Sequence, residues 1–276
     1  MRIRLAHSPD PDDAFMFFGL ASGAVASGPF RFEHVLADIQ TLNERALLGE
    51  YEVSAISIRA YPQVCERYAL MSCGGSVGDN YGPLVVAARP MQPQELAGRT
   101  IAVPGRLTTA FLALQLALGP ERFTAQVMPF DQIGAAVARG SVEAGVLIHE
   151  GQLTYGRQGL HRVLDLGQWW FERTGLPLPL GGNVVRRDLG PQVAAALTEI
   201  IRSSIRYGLD HRTAAVSYAL RFGRGLDEPL AERFVSMYVN DWTLDYGERG
   251  REAIRRLLGE AAAVGLVPHP GTIEFV

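Results

Sequence analysis

The sequence predicts an α/β fold of two lobes joined by two crossings, with a run of helices at its end. Three observations carry that prediction. Short apolar runs rich in β-branched residues alternate with helix-like stretches through most of the chain. Two breaks rich in proline and glycine interrupt the alternation, Arg89-Pro90-Met91-Gln92-Pro93 and Pro177-Leu178-Pro179-Leu180-Gly181-Gly182. Beyond the second break the pattern returns to a strand and then turns helical. The breaks divide the 276 residues into a first, larger lobe of 1–90 with 181–276 and a second lobe of 91–180, each long enough for its own core.

In the first lobe, 2–6 reads as a strand. Ser8-Pro9-Asp10-Pro11-Asp12-Asp13 follows as a proline-rich turn, and Asp12 or Asp13 is placed to cap a helix over 14–22. These aspartates either serve as caps alone, or one of them also reaches a substrate hydroxyl at the strand's carboxyl end. A second strand is expected over 30–37, with Asp38 opening a helix that continues over 41–48. The buried strand at 53–58 ends near Ser57, and a helix over 61–68 follows. Ser57 there is either a plain N-cap or part of an anion site built from free backbone N–H groups and the helix dipole. Strands over 70–73 and 82–88 flank the loop Gly74-Gly75-Ser76 and Gly78-Asp79-Asn80.

The second lobe opens with a strand over 100–103 and the turn Pro104-Gly105-Arg106-Leu107, after which Thr108-Thr109-Ala110 lead into an apolar helix over 111–118. A strand, a glycine turn and threonines at a helix start are the layout of an anion pocket made from backbone N–H groups. It is not a Walker loop, because the lysine and the glycine spacing are missing. A strand at 125–129 and a helix at 133–139 lead to the stretch Ala144-Gly145-Val146-Leu147-Ile148-His149-Glu150-Gly151. This strand ends on His149 and Glu150, the first polar side chains after a buried run. Open α/β sheets bind ligands just outside the carboxyl ends of their strands. Imidazole exchanges protons near neutral pH, so His149 is either a general base or a histidine bonded to a loop carbonyl. A strand over 160–166 and a short helix over 168–173 follow, with Trp169 and Trp170 read as packing. A strand at 183–186 returns to the first lobe. Helices over 191–209, 213–222, 229–238 and 248–264 pack back on it.

This architecture is that of the type II periplasmic-binding-protein-like folds, which hold a small ligand in a cleft between lobes and close by hinge motion. On that reading Ser57 from the first lobe and Thr109 and His149 from the second face one ligand. The composition limits what the ligand is. Arg plus Lys number 26 against 29 Asp plus Glu, a net charge of −3 with no basic run, which excludes the pattern of a nucleic-acid binder. No stretch is long and apolar enough to span a membrane. The apolar patch near the N-terminus follows acidic residues rather than the basic region of a secretory signal, so a cytoplasmic protein is expected. The two cysteines, Cys65 and Cys73, form neither a zinc spacing nor a disulfide framework. No metal-ligand cluster or dinucleotide fingerprint is present, so no cofactor is expected. The expected partner is a small-molecule carboxylate; the oligomeric state is left open.

Several stretches together resemble one family. They are Ser8-Pro9-Asp10-Pro11-Asp12-Asp13-Ala14-Phe15-Met16-Phe17, Asp38 with Thr41-Leu42-Asn43, Gly82-Pro83-Leu84-Val85-Val86, and Val103-Pro104-Gly105-Arg106 with Thr108-Thr109-Ala110. Ile148-His149-Glu150 and Thr174-Gly175-Leu176-Pro177-Leu178-Pro179-Leu180-Gly181 complete the set. They resemble the 1,4-dihydroxy-6-naphthoate synthase family of the futalosine pathway to menaquinone, over nearly the whole chain. The resemblance implies a lyase that acts on cyclic dehypoxanthine futalosine and releases the bicyclic dihydroxynaphthoate from the sugar-derived part. It implies His149 as proton acceptor, and substrate contacts at Ala55, Ile56 and Ser57 and at Thr109 and Ala110. The chain departs from the family in having Asp12 where asparagine is common, and Ala55 where a polar or basic residue is frequent. Two rival readings share the fold: chorismate dehydratase of the same pathway, and a non-catalytic protein that binds a small carboxylate.

Overall fold

In the computed structural model, which describes residues 1–223 and 226–276, the alternation read from the sequence becomes two sheets in two compact units. One unit is Met1–Val77 with Pro179–Val276, the other Gly78–Leu178.

The first unit begins with β1 (Arg2–His7), followed by two short helices, α1 (Pro11–Met16) and α2 (Phe18–Ala21), where one helix was expected. Proline at the first helical position explains the early start, since its fixed φ suits a helix and its missing N–H is not needed there. The expected caps do not form. Asp10 is the N-cap residue and makes no side-chain cap bond. Asp13 instead accepts from the Ser8 N–H and hydroxyl, both at 2.7 Å, and so ties down the turn before the helix.

Strand β2 (Arg31–Leu36) pairs parallel with β1. Helix α3 (Ile39–Leu47) starts at Asp38 as expected, the Asp38 carboxylate accepting from the N–H groups of Gln40 and Thr41. Strand β3 (Val53–Ser57) is buried throughout and runs parallel to β1. Helix α4 (Tyr61–Val64) is much shorter than expected, because Tyr68 already belongs to β4 (Tyr68–Leu70). A further strand, β5 (Ser76–Gly78), lies in the stretch read as loop.

The second unit holds β6 (Leu84–Ala87), which pairs antiparallel with β9 (Ala144–Leu147). The sequence division at residue 90 had put this strand in the first lobe. It is corrected by that pairing, since backbone hydrogen bonds and not the prolines at 90 and 93 decide the sheet to which a strand belongs. The remaining elements are β7 (Thr100–Val103), α5 (Thr109–Leu118), β8 (Thr124–Val127), α6 (Phe130–Ala138), α7 (Gly151–Thr154), β10 (His161–Asp165) and α8 (Leu166–Thr174). The strand order is β10-β6-β9-β7-β8, with β7 parallel to both β8 and β9. Val86, Ala102, Ile133, Val137 and Leu147 form its core. Trp170 is fully buried and donates to the Pro177 carbonyl, so it is a packing residue as read.

The chain returns through β11 (Leu178–Arg186), which extends into the stretch expected as a crossing. Its pairing with β3 begins at Gly181, opposite Ser57. β11 lies between β3 and β4, antiparallel to both, in the order β2-β1-β3-β11-β4, and β5 also pairs with it. Helices α9 (Pro191–Asp210), α10 (Arg212–Ala219), α11 (Glu228–Tyr238), α12 (Asp241–Leu244) and α13 (Gly247–Ala263) complete the unit. On α9 the stripe Leu197, Ile201 and Ile205 is fully buried against Ile3, Leu5 and Phe15. Each such side chain contributes about 1.5–3 kcal/mol by leaving water. Among the described residues no helix is long and apolar enough to cross a membrane.

Candidate active site

In the first unit, parallel β1 and β3 end at His7 and Ser57, and antiparallel β11 enters its pairing at Gly181 opposite Ser57. The expected contact segment Ala55, Ile56 and Ser57 therefore lies at the carboxyl ends of the parallel strands, where α/β sheets take ligands. All three residues are buried.

The anion reading of Ser57 changes. A single 3-10 turn, Ile58–Ala60, follows it before the four-residue α4, and its side chain makes no cap bond. Both of its polar groups turn to Asn43 on α3. The Ser57 N–H donates to Asn43 Oδ1 at 2.7 Å, and Asn43 Nδ2 donates to Ser57 Oγ at 3.0 Å. Since a backbone N–H can only donate, it fixes which end of the amide is oxygen. Ser57 Oγ is then an acceptor towards Asn43, and its own hydrogen is directed elsewhere. A hydroxyl so held can donate to a carboxylate or carbonyl oxygen. Asn43 went unassigned in the sequence. Its signal was a polar amide beside Leu42 and three residues before Ala46, on the buried side of the helix.

Beside this end, the buried His7 pairs with the half-buried His34. The Ser8 carbonyl lies 3.0 Å from His7 Nδ1, so that nitrogen carries the proton. His7 Nε2 then accepts from His34 Nδ1–H, also at 3.0 Å. Phe17 packs on His7 with ring centroids 4.6 Å apart. Burial, the largest cause, pushes both rings down to about 4, so both are neutral at pH 7.

In the second unit, parallel β7 and β9 are neighbours, with Ile101 opposite Ala144 and Ala102 opposite Gly145. Their carboxyl ends lie at the same edge of the sheet. The loop before α5 and the residues after β9 therefore emerge together, which brings Thr109, Ala110 and His149 to one edge. Thr108, not Thr109, caps α5: its oxygen accepts from the Phe111 N–H at 3.3 Å, and its hydroxyl donates to the Gly105 carbonyl at 2.8 Å. Thr109 and Ala110 are the first two helical residues, whose N–H groups have no acceptor within a helix. His149 is not in the strand but one residue past Ile148, with φ at 54°, a left-handed conformation uncommon outside glycine. Its ring meets Phe130 edge-on at 4.7 Å. Glu150 opens α7 as its N-cap residue, and its carbonyl accepts from the Leu153 N–H at 3.0 Å. Among the described residues no group of three or more His, Cys, Asp or Glu could hold a metal ion.

A protein-family profile described as menaquinone biosynthesis matches residues 3–263. The chain belongs to the menaquinone biosynthesis family. Within this family, a protein of Thermus thermophilus named 1,4-dihydroxy-6-naphthoate synthase is 45% identical over 269 residues, covering 97% of each chain. One of the same name from Streptomyces coelicolor is 39% identical over 273 residues, covering 98% of this chain and 96% of its own. A solved structure from Archaeoglobus fulgidus superimposes with a TM-score of 0.92 at 48% identity, covering 96% of this chain and 98% of that one. The alkanesulfonate-binding protein SsuA from Xanthomonas axonopodis pv. citri, at 11% identity, gives a TM-score of 0.73 over 99% of this chain and 96% of its own. That last likeness concerns the fold alone: this member of the menaquinone biosynthesis family has the periplasmic-binding-protein-like fold read from its sequence.

Proposed function

We propose that this protein is a 1,4-dihydroxy-6-naphthoate synthase, a lyase that converts cyclic dehypoxanthine futalosine to the dihydroxynaphthoate of menaquinone biosynthesis. The observation that carries the proposal is the 45% identity to a protein of that name across 97% of both chains. In this reading His149 is the proton acceptor. Making an aromatic ring from this substrate requires loss of a proton and an eliminating bond cleavage, and a positioned base contributes roughly 10²–10⁴-fold to such a step. Ser57 donates to a carboxylate or carbonyl oxygen of the substrate. Thr109 contributes its hydroxyl and Ala110 its helix-start N–H, while Ala55 and Ile56 contribute backbone contacts. A cytoplasmic enzyme fits a small metabolite as substrate.

The test is direct incubation of the purified protein with cyclic dehypoxanthine futalosine and, in parallel, with chorismate, with products followed by liquid chromatography and mass spectrometry. Dihydroxynaphthoate from the first substrate only is the expected result. Turnover of chorismate, or a thermal shift with no product from either compound, would overturn it.

A further inference from the structure

We infer that Asn183 is a further substrate-binding residue, accepting a hydrogen bond from a hydroxyl of the sugar-derived part of the substrate; this rests on the reading of Ala55, Ile56 and Ser57 as a substrate segment. Asn183 lies on β11 directly opposite Ala55, and two residues from Gly181, which stands opposite Ser57. It is 1% exposed.

Its amide orientation is fixed by chemistry. Nδ2 donates to the Gly74 carbonyl at 3.2 Å, and a carbonyl can only accept. Oδ1 is therefore the other end. Oδ1 is screened from solvent, and no donor among the described residues reaches it. A buried acceptor left without a donor is costly compared with an apolar residue of similar size. The next two positions of the same strand are Val184 and Val185, both fully buried, so an apolar residue would suit this sheet. The surroundings admit the amide instead. A Cβ on Gly74 would lie 2.1 Å from Asn183 Nδ2, so a glycine at 74 is what leaves room for it.

The neighbouring Ser57 gives the pair its logic. Held by Asn43, Ser57 presents a donor, while Asn183 presents an acceptor one strand away. A carboxylate or carbonyl suits Ser57 and is repelled by Asn183 Oδ1. A neutral hydroxyl suits Asn183. The two groups sort the polar ends of one substrate, and a polyhydroxy fragment supplies the donor that Oδ1 needs.

The experiment compares native protein with Asn183→Ala and with Asn183→Leu, which keeps the branched shape of the side chain without its polar atoms. Steady-state kinetics are read with cyclic dehypoxanthine futalosine, and equilibrium binding with the product dihydroxynaphthoate, which lacks the sugar-derived part. The expected result is a KM raised roughly threefold to tenfold, the worth of one neutral hydrogen bond, with product affinity unchanged. Equal losses for substrate and product would mean a structural role and overturn the inference, as would a native KM. If the native protein itself turns over no substrate, the functional reading fails first and takes this inference with it. If neither variant folds, a crystal structure of His149→Asn with substrate bound decides: a substrate hydroxyl within 3.5 Å of Asn183 Oδ1 supports the inference, and water or a protein donor there overturns it.

Discussion

His149 holds a backbone conformation that most side chains avoid. Asparagine tolerates that conformation better than other non-glycine residues, so His149→Asn removes the imidazole without forcing the turn. The expected outcome is a fall in kcat of roughly 10²–10⁴-fold with a melting temperature close to native. A variant that melts as the native protein and keeps native kcat would remove His149 from the chemistry. Asn43 makes a second residue-scale prediction. Asn43→Asp keeps an acceptor for the Ser57 N–H but cannot donate to Ser57 Oγ, so the hydroxyl turns to donate to the new carboxylate. Substrate KM should then rise roughly threefold to tenfold, the worth of one lost hydrogen bond, with kcat little changed. An unaltered KM would show that the direction of the Ser57 hydroxyl is immaterial. The sequence offered His149, Ser57 and Thr109 by their place after strands, and the structure leaves each at a strand or helix end. It could not offer the Asn43–Ser57 pair, because a bond between a helix and a strand fourteen residues on depends on how the two pack.

At the scale of elements, β11 shows how packing rewrites local preference. Tyr246, just before α13, is fully buried, and its ring lies over Gly75 and Gly182. A Cβ on Gly182 would stand 2.4 Å from the Tyr246 oxygen. That hydroxyl has no hydrogen-bond partner among the described residues, and burial pushes its pKa up. Gly182→Ala should therefore cost about 1–3 kcal/mol, the usual penalty for overpacking. Tyr246→Phe alone should be neutral or stabilising by up to about 1 kcal/mol, and should restore much of the loss in the double variant. Urea unfolding of the four proteins measures this, and additive effects would contradict the steric account. The strands β1 and β7 and the helices α9 and α13 were legible because their own apolar periodicity defines them. The short α4 was overread: the apolar and polar residues at 61–68 suit a helix, but pairing of Tyr68, Ala69 and Leu70 with β11 claims its end. Likewise β6 was assigned to the wrong sheet, since its Leu84-Val85-Val86-Ala87 run pairs equally well in either until tertiary contacts choose β9.

For the whole molecule, the neutral pair His7 and His34 ties stability to pH. Their pKa values in the folded chain, about 4, lie below the unfolded value of 6.5. Above pH 6.5 the rings are neutral in both states and add no pH dependence. As pH falls from 6.5 towards 4 the unfolded chain takes up protons that the folded chain refuses, so stability is lost across that window. His7, 3% exposed, should account for about 2 kcal/mol between pH 7.5 and 5.0. The His34 contribution is not additive, because the two rings share one hydrogen bond. Urea unfolding at the two pH values, in native protein and in His34→Asn, tests this: the variant should lose less, and an equal loss in both would refute it. By itself the sequence determined the fold class, the family and the placement of Ser57 at a strand end and of His149 and Thr109 in the segments that follow strands, because hydrophobic periodicity and local motifs are properties of neighbouring residues. Only the tertiary structure decided which sheet β6 joins, that Asp13 holds Ser8 rather than a helix end, and that Asn43 fixes the Ser57 hydroxyl as a donor. Those outcomes depend on hydrogen bonds between segments far apart or free to bend back on themselves, and such bonds are chosen by packing rather than by any pattern along the chain.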